Sequence, residues 1–479
     1  MPTGQSSDGS TASKKANGRS VRGGLATAAA EPLMTADFAD DLGPFLDGLR
    51  DRHGPVAPVG LYGVPVWIVL GYREVLEVLH NRNRVWTKDT ARWKARAEGR
   101  VPADWPFLTA PEADGVLFLE GPKHTERRGT WLAALPPFQD QTHPVARDLQ
   151  ERCRAYADEL VDLLADGATR GSADLAAQYA RPLMLMLCQE MIGVTAVTDD
   201  LLLDVWRTMD MGPESRPALA RVTAHAVAAV AEKRRRPGDD LPSLMLAAAG
   251  PDLTDEEIAV DMVALIIHLG DMASSLICST VLEVVSGDAG ARASLAGGLV
   301  RETVNRAVLT EPPNSHLTLR FAVADTVLGG VPVAAGDPVL LSVAAAHRDP
   351  AFAQARQGIY SSRAHLAWGA GAHRCPGAEL AMTLVAIAVE QLFERLAALE
   401  LVLPPEELSW RPSPAVRALR ALPVNFRLHP PVTGTRPLPI IQAVAPAEAP
   451  APAPKRARRS VSRALLGRVV RAVRGDSAR

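Results

Sequence analysis

The chain has 479 residues, 47% of them hydrophobic and 22% charged, an ordinary globular composition. Its formal charge of −2 conceals a division: residues 1–30 carry +3 and residues 455–479 carry +8, which leaves −13 for residues 31–454. That distribution excludes a uniformly basic nucleic-acid binder, so no nucleic-acid partner is expected.

In chain order, residues 1–30 are rich in Gly, Ser, Ala and Lys without periodicity, the composition of a disordered segment. They also lack the apolar core of a signal peptide. Residues 56–60 and 65–70 read as strands about a Leu61–Val64 turn, and Tyr72–Leu79 has apolar residues at helical spacing. Helical periodicity recurs over 146–166, 172–193, 198–210 and 216–235. Thr254–Glu257 reads as a capping box opening a helix of about 30 residues, apolar on all sides and therefore expected to be buried. Strand-like segments follow at 316–322, 327–333 and 338–342, and a last helix at 376–397. Residues 31–428 thus form one domain, mainly α with a small β part. Beyond it lie a Pro/Ala linker, 429–454, and a basic tail, 455–479. Within 455–474, Val461, Leu465, Val469 and Val473 step by four among arginines. This is either an amphipathic helix suited to an anionic membrane surface or an acidic protein, or a solubilising tail.

No apolar run approaches the ~18–20 residues of a membrane span. Cys153, Cys188, Cys278 and Cys375 stand far apart, which speaks against a disulfide framework or zinc site and for a reducing cytoplasm.

The segment His365–Ala381, HLAWGAGAHRCPGAELA, is the most informative. Gly369, Gly371 and Gly377 surround Cys375, and a helix is expected from about Pro376. A glycine-rich loop that delivers a cysteine to a helix N-terminus favours the thiolate, as a nucleophile or an axial metal ligand. The plainer alternative is a buried structural cysteine in a turn.

This segment closely resembles the haem-binding loop of cytochrome P450, an aromatic-Gly-x-Gly-x-His/Arg-x-Cys-x-Gly pattern. It is carried here by Trp368, Gly369, Gly371, His373, Cys375 and Gly377, with Leu380-Ala381 in the following helix. Trp368 replaces the usual Phe. The resemblance extends over roughly 35–428 and implies the cytochrome P450 fold, with the long central helix lying over haem b (iron protoporphyrin IX). It implies Cys375 as the thiolate ligand of the iron. It also implies His124 and Arg128 (in GPKHTERR), Arg320 and His373 as the groups that hold the two haem propionates.

Two motifs of the family are broken. Where the central helix would carry an acid–alcohol pair that relays protons to dioxygen, the chain has Met272 and Ala273, preceded by Leu269 and Gly270. Asp271 and Ser274 flank the missing pair and are the candidates for a displaced relay, on a face turned from the iron. The Glu-x-x-Arg of the K helix falls on Arg306 and Leu309, with Arg363 as the upstream arginine and Glu302 or Glu311 as the source of countercharge. The segment SSRAHLAW and the altered K helix resemble a small actinobacterial subgroup that lacks this motif. The function implied is a haem-thiolate monooxygenase acting on a small-molecule substrate, with electrons from a ferredoxin and ferredoxin reductase docking near Arg374 and Arg127. Distal contacts are expected from Leu269, Gly270, Ala273 and the Trp- and Arg-rich stretch 86–115. The alternatives are oxidation by peroxide and a non-catalytic regulatory or structural homologue.

Overall fold

The computed structural model describes residues 24–25, 28–103, 105, 115–194, 198–210, 214–249, 253–286, 289–355 and 364–429. The expectations for most of 1–30, for the linker and tail beyond His429, and for Arg363 lie outside the described residues. Within 1–30, Leu25 is buried against the β part of the fold.

The strands are β1 (Glu31–Pro32), β2 (Val56–Leu61), β3 (Val64–Val69), β4 (Trp86–Thr87), β5 (Arg170–Asp174), β6 (His316–Ala322), β7 (Thr326–Leu328), β8 (Val331–Val333), β9 (Pro338–Ser342), β10 (Leu396–Leu401) and β11 (Pro423–Leu428). Six of them form one sheet in the order β1-β2-β3-β9-β6-β4, and β10-β11-β5 and β7-β8 form two smaller ones. The β2–β3 turn is tight because Tyr62 and Gly63 both take positive φ, 47° and 78°, the geometry of a two-residue hairpin turn. The segment expected as one strand over 327–333 is a hairpin instead. Gly329 and Gly330, at φ 54° and 83°, reverse the chain between β7 and β8.

Helices make up the rest. Pro144–Ala165, Asp199–Asp210 and Ser215–Arg235 match the expected spans. The helix expected over 172–193 begins only after Asp174, as a π-helical turn over Ala176–Ala180 that runs on into Arg181–Ile192, because residues 170–174 are drawn into β5 by pairing with β11. The last helix is likewise shorter than expected, Ala378–Arg395, since Leu396 already pairs in β10.

The central helix runs unbroken from Asp255 to Val285, 31 residues. Thr254 and Glu257 complete the expected capping box, each side chain accepting from the other's backbone N–H. By length and composition this helix is long and apolar enough to cross a membrane, but its most apolar stretch is 67% buried. It is the axis of the main core, packed with Pro144–Ala165, Arg181–Ile192 and Ala378–Arg395. Midway, from Ile266 to Met272, it widens into a π-helical turn, a feature that in other proteins often marks a functional site.

Candidate functional site

The cysteine loop is folded by its glycines. Gly369 and Gly371 both sit at φ 67°, in the left-handed region. A Cβ on Gly371 would collide with the Leu79 carbonyl oxygen, so glycine lets the loop seat on the end of the Tyr72–His80 helix. The Cys375 backbone N–H donates to the Trp368 carbonyl at 2.8 Å, and Gln139 Nε2 donates to the Pro376 carbonyl at 2.8 Å. The Trp368 side chain packs against the main core. The helix starts two residues beyond the expected Pro376, at Ala378.

Cys375 differs from its three fellows. Cys153, Cys188 and Cys278 are buried, and burial pushes each thiol up to about 12. Burial raises the Cys375 thiol too, more than the loop lowers it. Opposing burial are an N–H bond from Gly377 and the charges of Arg128 and Arg374. Its surface is only partly covered. The helix dipole alone therefore does not make the thiolate; a coordinated metal ion would, since a ligating thiol loses its proton outright.

Next to this loop stands a group of bases with too little acid. His124, on the Gly121–Ala134 helix, and His373 lie with ring centroids 4.0 Å apart. Burial pushes His373 down to about 2, helped by the charges of Lys88, His124, Arg320 and Arg128. Burial, then Lys88 and Arg128, also lowers His124. Burial holds Arg320 to about 10. Lys88 is held well below its usual value by burial and then by Arg320. The register explains that neighbour: β4 pairs Trp86 with Ala322 and Thr87 with Phe321, so the next residue, Lys88, falls opposite Arg320. Glu120 is the acid that reaches the group, and its carboxylate already accepts from Thr87 Oγ1 and, at 2.8 Å, from the Lys88 backbone N–H. Arg320 meanwhile donates to the Thr318 carbonyl at 2.8 Å. Among the described residues, five basic side chains around one acid make a donor set that suits a ligand with two carboxylates. Haem b, with two propionates and an iron for Cys375, fits it.

Of the remaining predicted residues, Leu269, Gly270 and Ala273 are buried on the central helix, in or beside the π-turn. Asp271 and Ser274 are committed elsewhere. Arg411 Nη2 donates to both Asp271 carboxylate oxygens at 2.7 and 2.6 Å, and Ser274 Oγ donates to the Asp271 carbonyl at 2.8 Å. A displaced relay through these two would have to break a buried ion pair. Arg127 is corrected as well: it is buried, not a docking charge, and pairs with Glu257 at 2.7 Å and Asp261 at 3.3 Å. Arg374 is exposed. In the 86–115 stretch, Trp86, Trp93 and Trp105 are core residues, the last two packed at 5.3 Å, while 104 and 106–114 lie outside the described residues.

The lost K-helix motif is rebuilt with reversed polarity. Arg306 pairs with Glu283 of the central helix at 3.4 Å, where Glu302 or Glu311 was expected to supply the charge. Glu311 pairs with Arg417 at 3.1 Å. Arg301, earlier on the same helix, reaches Glu379 of the Ala378–Arg395 helix at 2.7 Å. Sequence reasoning missed Lys88, His268 and Glu283. A lone lysine after a two-residue strand carries no signal of its own, and Glu283 is 23 residues from its partner.

A glycine-rich cysteine loop beside a basic cluster suited to two carboxylates, in a helical fold with a long buried central helix, is the arrangement of a haem-thiolate protein. No protein-family model matches the chain. Over 415 residues it is 31% identical to cytochrome P450 monooxygenase PikC of Streptomyces venezuelae, covering 82% of this chain and 92% of that protein. It is 29% identical over 404 residues to nocardicin C N-oxygenase of Nocardia uniformis, covering 81% and 96%. The solved structure of CYP154C4 from Streptomyces sp. W2061 matches with a TM-score of 0.73 at 28% identity, covering 83% and 98%. The chain belongs to the cytochrome P450 family. It is a haem b monooxygenase acting on a small organic substrate.

Proposed function

We propose that Cys375 Sγ ligates the haem iron and that His124, Arg128, Arg320, His373 and Lys88 hold the two propionates. The observation that carries this reading is the basic group itself, five cations and imidazoles sharing Glu120 beside a cysteine loop. Haem b supplies the redox-active iron at which dioxygen is activated. The chain's own part is to shape the two sides. Gly377 donates to the sulfur, Trp368 covers the loop, and the central helix with Leu269, Gly270 and Ala273 roofs the substrate space. Electrons come from a ferredoxin and its reductase, docking at a proximal cleft of 470 Å³ bordered by Arg301, Arg374, His365 and Glu379. The enzyme works in the cytoplasm, with the +8 tail holding it to an anionic membrane surface or an acidic protein. Because Met272 and Ala273 carry no acid or hydroxyl, peroxide is a second oxidant for the same site.

The reduced, carbon monoxide-bound protein tests the ligand assignment. Wild type is expected to give the long-wavelength Soret band of thiolate ligation and Cys375→His to give the shorter-wavelength band of a nitrogen ligand. A Cys375→His spectrum identical to wild type overturns the assignment. Supply of a ferredoxin system or of peroxide then separates the two oxidants.

A further inference from the structure

Central to the π-turn is His268, a titratable side chain for which the reading above has no use. Its Nδ1 lies 2.7 Å from the Ala264 carbonyl oxygen. A carbonyl only accepts, so Nδ1 carries the proton and donates, and Nε2 of the neutral ring is left with its lone pair. The ring is deep in the molecule, between buried Asp261–Val263 and buried Leu269–Asp271, yet it is only partly covered. The same holds for residues 264–267 and for Met272. Partly covered side chains flanked on both sides by buried ones, in the middle of a core helix, are those that an internal space would expose. Lys88 is near enough for its charge to act on the ring, which places that space beside the propionate-binding group. In a π-turn the hydrogen bonds run five residues apart, so Met272 and Ala273, four and five residues on, come round below His268. These are the two positions where the acid and alcohol are missing.

Resting on the monooxygenase reading, we propose that His268 is the proton-relaying side chain of this cavity. A proton from bulk water, passed along cavity water, is taken up at Nε2 and given up from the same atom to the reacting oxygen. No electron moves in this step, and the ring returns to its neutral form. Burial and then Lys88 lower its proton affinity, against the Ala264 carbonyl and Asp271, so the charged ring gives its proton up readily. Of the other charges on elements packed against the turn, Asp204 pairs with Arg221 at 2.7 Å, Asp261 with Arg127 at 3.3 Å and Asp271 with Arg411, and Arg181 stacks over Trp206 at 4.7 Å; Glu256 and Asp200 stand on the same elements.

The test uses the full-length haem-loaded protein with His268→Phe and His268→Gln. The second variant keeps a donor for Ala264 but does not titrate. In the wild-type ferrous carbonyl complex the C–O stretch should fall in frequency on acidification, with a midpoint below the ordinary histidine value, as a proton arrives beside the bound diatomic. Both variants should lose that pH response, and dioxygen consumption with a ferredoxin system should fall about 100-fold, as for loss of a general acid. A thiolate-type carbonyl whose stretch titrates identically in wild type and both variants overturns the relay alone. Absence of any thiolate-type Soret band overturns the reading beneath it as well.

Discussion

His316 shows how one buried side chain sets a pH dependence. It starts β6, its ring lies 5.7 Å from that of Phe38, and Nδ1 is 3.1 Å from Ser315 Oγ. Burial pushes it down to about 3, whereas an unfolded histidine titrates near 6.5. Between those values the unfolded chain binds a proton that the folded one refuses. Stability from this residue is therefore complete above about pH 6.5 and lost as the pH falls toward 3, at up to about 1.4 kcal/mol per pH unit. His316→Gln should flatten that loss. Unfolding free energies from denaturation at pH 7 and pH 5 should differ by about 1–2 kcal/mol less in the variant than in wild type. Equal differences would mean that His316 is not held neutral.

At the scale of elements, the central helix spends each of three acids on an arginine from a different part of the chain. Asp261 takes Arg127, with Trp131 Nε1 donating to it at 3.0 Å and the Val116 N–H at 3.1 Å. Asp271 takes Arg411, and Glu283 takes Arg306. Arg411→Ala would strand the Asp271 carboxylate in the core, at a cost of about 3–5 kcal/mol. Thermal or denaturant unfolding reads this directly, and a loss under 1 kcal/mol would show that Asp271 turns to another partner. These pairings also mark where the sequence stops being legible. The helix itself was readable, since its capping box and all-round apolarity are local signals. So was the cysteine loop, whose glycines must stand where φ is positive or another backbone comes close. Lys88 was not, because its place depends on a strand register set 234 residues away at Ala322 and Phe321. Nor was the end of the helix expected over 172–193, because β5 forms only by pairing with β11 from the far end of the domain. Helical spacing puts Asp271 and Ser274 on one face, but the partner of Asp271, Arg411, lies 140 residues on.

At the scale of the whole molecule, the departure from the family's K-helix motif becomes a change of partners with the connection retained. Arg306 is buried where the family has Glu, and an acid that pairs with it comes from the far end of the central helix. Thr310 Oγ1 donates to the same Glu283 at 2.9 Å, and Gly290 leaves room for the guanidinium, since a Cβ there would lie 2.9 Å from Arg306 Nη1. Glu283 thus joins the central helix to the helix beneath it, and Arg301 carries the connection on to the helix that follows Cys375. If the Arg306–Glu283 pair is what holds these layers, removing either member takes this partner from a buried charge, while removing both leaves no charge to strand. Arg306→Met and Glu283→Met should each cost about 3–5 kcal/mol, and the double variant less than the larger single loss. Unfolding measurements on the four proteins close the cycle, and haem retention read alongside shows whether the connection reaches Cys375. Additive losses would mean that the two residues act independently and that another contact carries the connection between the two helices.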